Sequence, residues 1–331
     1  MPLLLGVSLV LGLIATANII VTSQRPRLVG LFDVLLALIN VPIVIIGLLL
    51  LAIPAETLSS LTMNFSALAL NWTAAGWSLA GMGLWGVLVS LRPVRRVLSR
   101  MMPLQADSPV HALALVLSGY LVGNTVFSLT QGGLEDMAAA GGCRPVLGNF
   151  FFRGGVTATA GVGGGPCTRR GPQAVRERLG LSRPTFAQLI TGVGWIVVLV
   201  FLQAIGGAIW SLIDSSQAEL VENISGELLG EMDTFIEWLL LAAATGLGEE
   251  LLFRGALQPA FGLGFTALLF AFAHVQYGFT PVTLVVFIIG LILGLIRRRH
   301  GTAVAIFVHS GYNFALGMIS LLALQYGDAL Q

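Results

Sequence analysis

Gly248-Glu249-Glu250-Leu251-Leu252-Phe253-Arg254-Gly255 lies inside an apolar run that begins near Phe235. Three ionisable residues sit where the pattern calls for a membrane helix. A lone charge at the centre of such a helix costs roughly 2.5–3.5 kcal/mol, so three together need partners or water. Two later apolar segments carry candidate partners: His274 in one, His309 and Asn313 in the other. The stretch therefore implies a helical membrane bundle with one buried polar site, held in place by the rest of the chain.

Composition agrees. The chain has 331 residues, 56% hydrophobic and only 10% charged. A soluble domain carries about 25% charged residues. So few charges cannot cover a soluble surface of this size, and the chain reads as an all-α, polytopic transmembrane bundle. A net charge of +1 says nothing about partners. All 17 basic residues are arginine, and the Ala, Gly and Leu load suggests a GC-rich, prokaryotic genome. Cys143 and Cys167 match no zinc spacing and are too few for a disulfide framework.

A helix needs about 20 apolar residues to span the ~30 Å hydrocarbon core. Nine segments qualify: Pro2–Val21, Leu28–Ile53, Ala67–Leu91, Val110–Leu129, Phe186–Leu212, Thr234–Leu257 and Thr302–Leu324, with shorter ones at Gly262–Val275 and Pro281–Ile296. The first reads as a retained helix rather than a signal peptide, since it lacks a basic n-region. Arginine in short loops sets orientation. Clusters at Arg25/Arg27, Arg92–Arg100, Arg169–Arg183 and Arg297–Arg299 should face the cytoplasm. Ile213–Asp233 carries Asp214, Glu219, Glu222, Glu227, Glu231 and Asp233 without a base, and should face outward. One clear span, Val110–Leu129, separates two clusters that both belong inside. Parity then calls for a weak tenth crossing over Pro145–Pro166, a glycine-rich stretch containing Arg153, with a re-entrant or disordered loop as the alternative. The chain divides into N-terminal helices of unassigned role (1–134), an irregular connection (135–175) and a core that carries the chemistry (176–325). Multi-pass insertion in a prokaryotic cytoplasmic membrane follows.

Neighbouring helical residues point about 100° apart, so Glu249 and Glu250 face different ways. Glu250 and Arg254, at i and i+4, share a face and can pair, which leaves Glu249 for chemistry. His309 and Asn313 share a face by the same spacing. Counting from turns near Gly262 and Gly301 at 1.5 Å per residue, Glu249, His274, His309 and Asn313 all lie roughly 12–20 Å from one membrane surface. Packing residues on separate helices have little reason to agree in depth, so the depths imply one site opening toward the cytoplasm. A carboxylate can act as general base on water, and a histidine can share that proton or bind a metal. A His/Asn pair one turn apart can donate to an oxyanion. The set suits hydrolysis of an amide. No convincing serine or cysteine nucleophile is visible, nor a His-Glu-x-x-His zinc motif, a Walker loop or a dinucleotide turn.

Glu249-Glu250-x-x-x-Arg254, Phe270-x-x-x-His274 and His309-x-x-x-Asn313, in this order, resemble the signature of the CPBP family: the CAAX proteases and bacteriocin-processing enzymes, also called Abi-type membrane endopeptidases. The resemblance covers about 176–324, and Glu177-Arg178-Leu179-Gly180-Leu181 is similar to a phrase of prokaryotic members. It implies that Glu249 and His274 activate the attacking water. It further implies an oxyanion hole of His309 and Asn313, and Glu250 with Arg254 in support. Eukaryotic relatives cut prenylated CAAX proteins; bacterial relatives are linked to peptide maturation or self-immunity. The implied partner is a peptide or membrane-protein substrate, with or without a lipid chain, and no nucleic acid.

The family is commonly labelled metalloprotease, though a metal-free glutamate mechanism is also argued. Zinc, if used, would be held by Glu249, His274 and His309. Asparagine is an unusual zinc ligand, and His309 with Asn313 suits anion binding better, so no cofactor is favoured. The alternative reading is a non-catalytic membrane protein that binds a peptide or lipid, or confers bacteriocin self-immunity. A proton-coupled transporter is a third, weakened by the absence of inverted repeats.

Overall fold

The computed structural model describes residues 2–61, 71–131, 171–229 and 232–329. The weak crossing over 145–166, Cys143 and Cys167 lie outside them. Among the described residues every regular element is helical.

The N-terminal half consists of α1 (Pro2–Ser23), α2 (Pro26–Ala52), α3 (Ala55–Leu61), α4 (Trp72–Ser90), α5 (Arg92–Leu98) and α6 (Pro109–Thr130). Helices α2 and α4 pack backbone to backbone. A Cβ added at Gly47 would stand 2.8 Å from the Ala80 Cα, and one at Gly83 2.6 Å from the Val44 nitrogen. Small residues allow this approach where lipid offers no hydrophobic drive for helix pairing. Asn40, fully buried beside Gly86, accepts from the Tyr120 hydroxyl (2.7 Å) and so ties α2 to α6.

Between α4 and α5 the chain bends by 92°. Arg95, fully buried, holds this corner. It donates to the Val89 and Ser90 carbonyls that end α4 (2.8 Å each), to the Ala106 carbonyl (2.6 Å) and to Asp33 Oδ1 (2.9 Å). Arg92 donates to the other Asp33 oxygen at 2.8 Å. Carbonyls at a helix end have no partner within the helix, and a guanidinium fork satisfies several at once.

The second half begins with a short helix, α7 (Pro172–Leu179), closed by Gly180 in the left-handed region (φ 71°). Then come the long apolar α8 (Phe186–Ile213), the acid-bearing α9 (Ser215–Leu229) and α10 (Phe235–Glu250). A capping box of Thr234 and Glu237 opens α10. A π-helical turn (Leu251–Leu257) carries the chain into α11 (Gln258–Phe272), and α12 (Pro281–His300) and α13 (Thr302–Ala329) complete the bundle. Gly262 breaks α11 near its start with φ 78° and ψ 177°, a backbone open to glycine and strained for other residues. Thr125 of α6 donates to the Phe272 carbonyl (2.6 Å), and Ala260 and Phe261 share an apolar cluster with residues of α1, α2 and α6. The first half thus backs the broken end of α10–α11.

Among the described residues seven helices are long and apolar enough to cross a membrane, or eight if the bent α4–α5 pair is one span, rather than nine. The overcount has a physical source. Thr234–Leu257 and Gly262–Val275 are not separated by a polar loop; they form one apolar segment, Phe235–Phe272, broken at Gly262. The protein is a multi-pass helical membrane protein.

Candidate active site

The Glu-Glu-x-x-x-Arg stretch straddles a change of helix type. Glu249 and Glu250 close α10, and Arg254 sits in the π-helical turn. Plain α-helix over the whole stretch was the sequence expectation. Single π-turns inside α-helices add a residue to the turn and are frequent at functional sites. Here the wider turn faces α7. Leu179 packs on Leu251, and Arg178 donates to the Gly255 carbonyl at 3.2 Å.

Arg254 Nη1 donates to Glu250 Oε1 at 2.7 Å, with both side chains essentially fully buried. Its Nη2 reaches the Gly290 carbonyl of α12 (3.3 Å), and its guanidinium lies 4.2 Å from the centre of the Phe270 ring. Gln258, one turn on, donates to the Gly294 carbonyl at 2.9 Å. Gly290-x-x-x-Gly294 lets the two segments approach closely enough for these bonds. A Cβ at Gly290 would stand 3.2 Å from the Phe270 ring.

His309 reaches the same carboxylate from α13. Its Nδ1 lies 2.8 Å from Glu250 Oε1. A carboxylate only accepts, so Nδ1 carries the proton in this bond. The approach depends on Gly246, where a Cβ would stand 2.8 Å from the Ser310 nitrogen. At the start of α13, Thr302 N donates to the Gly180 carbonyl (2.8 Å). The α7–Gly180 turn therefore touches both the π-turn and the start of the helix that carries His309.

Glu249 points away from this pair and toward His274. Their Oε2 and Nε2 atoms are 3.8 Å apart, and each side chain is about one-fifth exposed (20% and 19%). His274 lies just past α11 with Nδ1 2.8 Å from the Phe270 carbonyl. A carbonyl cannot donate, so Nδ1 is the donor and Nε2 is left facing the carboxylate. Phe270 links the two pairs: its ring centre lies 4.7 Å from that of His274 and 5.8 Å from that of His309. Glu249, Glu250, Arg254, His274 and His309 are thus assembled from three segments. Asn313 is half-buried one turn beyond His309, and no contact places it among these five.

Among the described residues no three His, Cys, Asp or Glu side chains are grouped to hold a metal ion. His309 turns its Nδ1 to Glu250, which leaves Nε2 as its nitrogen for a ligand.

Several supporting residues escaped the sequence reading. Gly290 and Gly294 carried a readable signal, small residues four apart in an apolar helix. Gln258 offered one as well, a buried amide four residues after Arg254. Arg178 lies in the Glu177–Leu181 phrase, but spacing does not reveal its bond to the π-turn.

Residues 231–315 match the family described as type II CAAX prenyl endopeptidase Rce1-like. The segment spans α10, the π-turn, α11, α12 and half of α13, and contains all seven motif residues. It is the family that the motifs resemble. No curated protein and no solved structure matches the chain.

Proposed function

From the Rce1-like character of residues 231–315, we propose that this protein is an intramembrane endopeptidase that hydrolyses a peptide bond with a glutamate-activated water. The carrying observation is the Glu249–His274 pair, 3.8 Å apart and partly exposed, beside a Glu250 that is already committed to Arg254 and His309. The gap is too long for a direct hydrogen bond and suits one water held by both groups.

In this reading Glu249 takes a proton from that water as its oxygen attacks the amide carbon. Nε2 of His274 orients the water and shares the proton. The carbonyl oxygen becomes an oxyanion, received by His309 through Nε2–H and by the Asn313 amide. An imidazolium at His309 would donate from Nδ1 to Glu250 and from Nε2 to the oxyanion. Formal charges then balance: two carboxylates against Arg254 and His309, which suits a low-dielectric site. Collapse of the tetrahedral intermediate breaks the C–N bond, and the proton held by Glu249 and His274 goes to the leaving amine. No step of this reading needs a metal. The substrate is a peptide or membrane protein, with or without a lipid chain, entering from the cytoplasmic side where the arginine clusters lie.

Purified protein in detergent, incubated with a panel of lipidated and unlipidated peptides, tests the proposal. Cleavage by the wild type, lost in Glu249→Gln and indifferent to a zinc chelator, is the expected result. Undiminished cleavage by Glu249→Gln would sink the glutamate mechanism, and cleavage lost to chelator but restored by zinc would replace it with a metal-dependent one.

A further inference from the structure

Tyr277 lies in the single 3-10 turn (Val275–Tyr277) that follows His274. Its ring stands parallel to the imidazole of His274, with centres 6.1 Å apart and planes 4° from each other. Its backbone N–H donates to the His274 carbonyl at 3.1 Å, and its own carbonyl accepts from Thr280 Oγ1 at 2.7 Å. The turn is therefore pinned at both ends. Phe270 borders the imidazole as well, and its carbonyl takes the Nδ1 proton. A histidine just beyond a helix end otherwise has two free side-chain torsions and two neutral tautomers.

We propose that Tyr277 is a positioning residue for His274: its ring and Phe270 bound the imidazole, so that Nε2 stays toward Glu249 in a single tautomer. The role deepens the protease reading and rests on it for its catalytic meaning. The stacked ring is the working part. Offset parallel rings at such separations attract each other and restrict rotation.

The chain has only four histidines, so their nitrogen resonances can be resolved. Full-length protein labelled with 15N-histidine in lipid vesicles, with His274→Gln to assign the signal, gives the tautomer by magic-angle-spinning NMR. The wild type should show one His274 species, protonated at Nδ1. Tyr277→Ala should show exchange between two tautomers, and Tyr277→Phe should restore the single species. Tyr277→Leu, which keeps bulk without the ring, should resemble Tyr277→Ala and serves if the alanine variant misfolds. An unchanged single tautomer in both ring-less variants would overturn the proposal. In the cleavage assay the ring-less variants should lose roughly tenfold or more in kcat with little change in KM, and Tyr277→Phe should recover most of it. Altered tautomers with no cleavage by any form would uphold the positioning role and overturn the protease reading, so the two fail separately.

Discussion

Each half of this protein buries an acid against arginine, and the two clusters differ in what is left over. In the N-terminal half both oxygens of Asp33 are taken by Arg92 and Arg95, and Arg95 spends its remaining donors on three carbonyls. In the second half Glu250 Oε1 is taken by Arg254 and His309, while a second carboxylate, Glu249, and a second imidazole, His274, face each other without being needed for that pair. Glu250 Oε2 is also buried without a hydrogen-bond partner. The residue types are alike. A cluster with a single acid, held by two arginines, fixes a bend in the chain; a cluster that sets a second acid and imidazole beside the first pair can act on something else.

The contrast makes its largest prediction at Glu249. Glu249→Gln should lower peptide cleavage by about 10²–10⁴-fold, the usual contribution of a general base, with an unaltered elution profile in detergent. Next comes Arg254→Ala, which leaves the fully buried Glu250 with His309 alone. Removing one partner of a buried pair costs about 3–5 kcal/mol, and denaturant unfolding in mixed micelles should show that loss. Arg95→Ala should cost less, about 1–3 kcal/mol, because Asp33 keeps Arg92 and the loss is chiefly of carbonyl partners. Its cleavage rate per folded molecule should stay near wild type; a hundredfold fall there would erase the distinction between the clusters. The smallest effect belongs to Thr125→Val, which removes one bond between the halves. A loss of about 1 kcal/mol with cleavage retained is expected.

The polar residues of the second half were legible because charge in an apolar run is costly and therefore conspicuous. Glu249, Glu250 and Arg254 declare themselves in this way, and the depth agreement of His274 and His309 follows from the 1.5 Å rise. Asp33 carried the same signal inside Leu28–Ile53. It was passed over because its partners, Arg92 and Arg95, read as ordinary loop charges. The π-turn was not legible at all. Its residues, Leu251–Leu257, are compatible with an α-helix, and the wider turn is seen only together with contacts from distant parts of the chain such as Leu179 and Arg178. The break at Gly262 was visible as a turn, but its consequence for counting spans was not. Spacing puts Asn313 on the face of His309, and spacing alone does not say how far along that face the other groups stand.

The wider turn after Glu250 has a consequence for insertions and deletions. A π-turn holds one residue more than an α-turn, so deleting a single residue between Leu251 and Leu257 offers the backbone an ordinary helix with no bonds lost. Because the wide turn absorbs its extra residue locally, the helix on either side keeps nearly its facing, and the residues inside the turn are the ones that change place. A deletion between Glu250 and Arg254 would bring Arg254 to the third position after Glu250 and turn it by about 100° about the helix axis, away from the Gly290 carbonyl and the Phe270 ring. For this segment, a more regular helix and the present seat of Arg254 are alternatives separated by one codon.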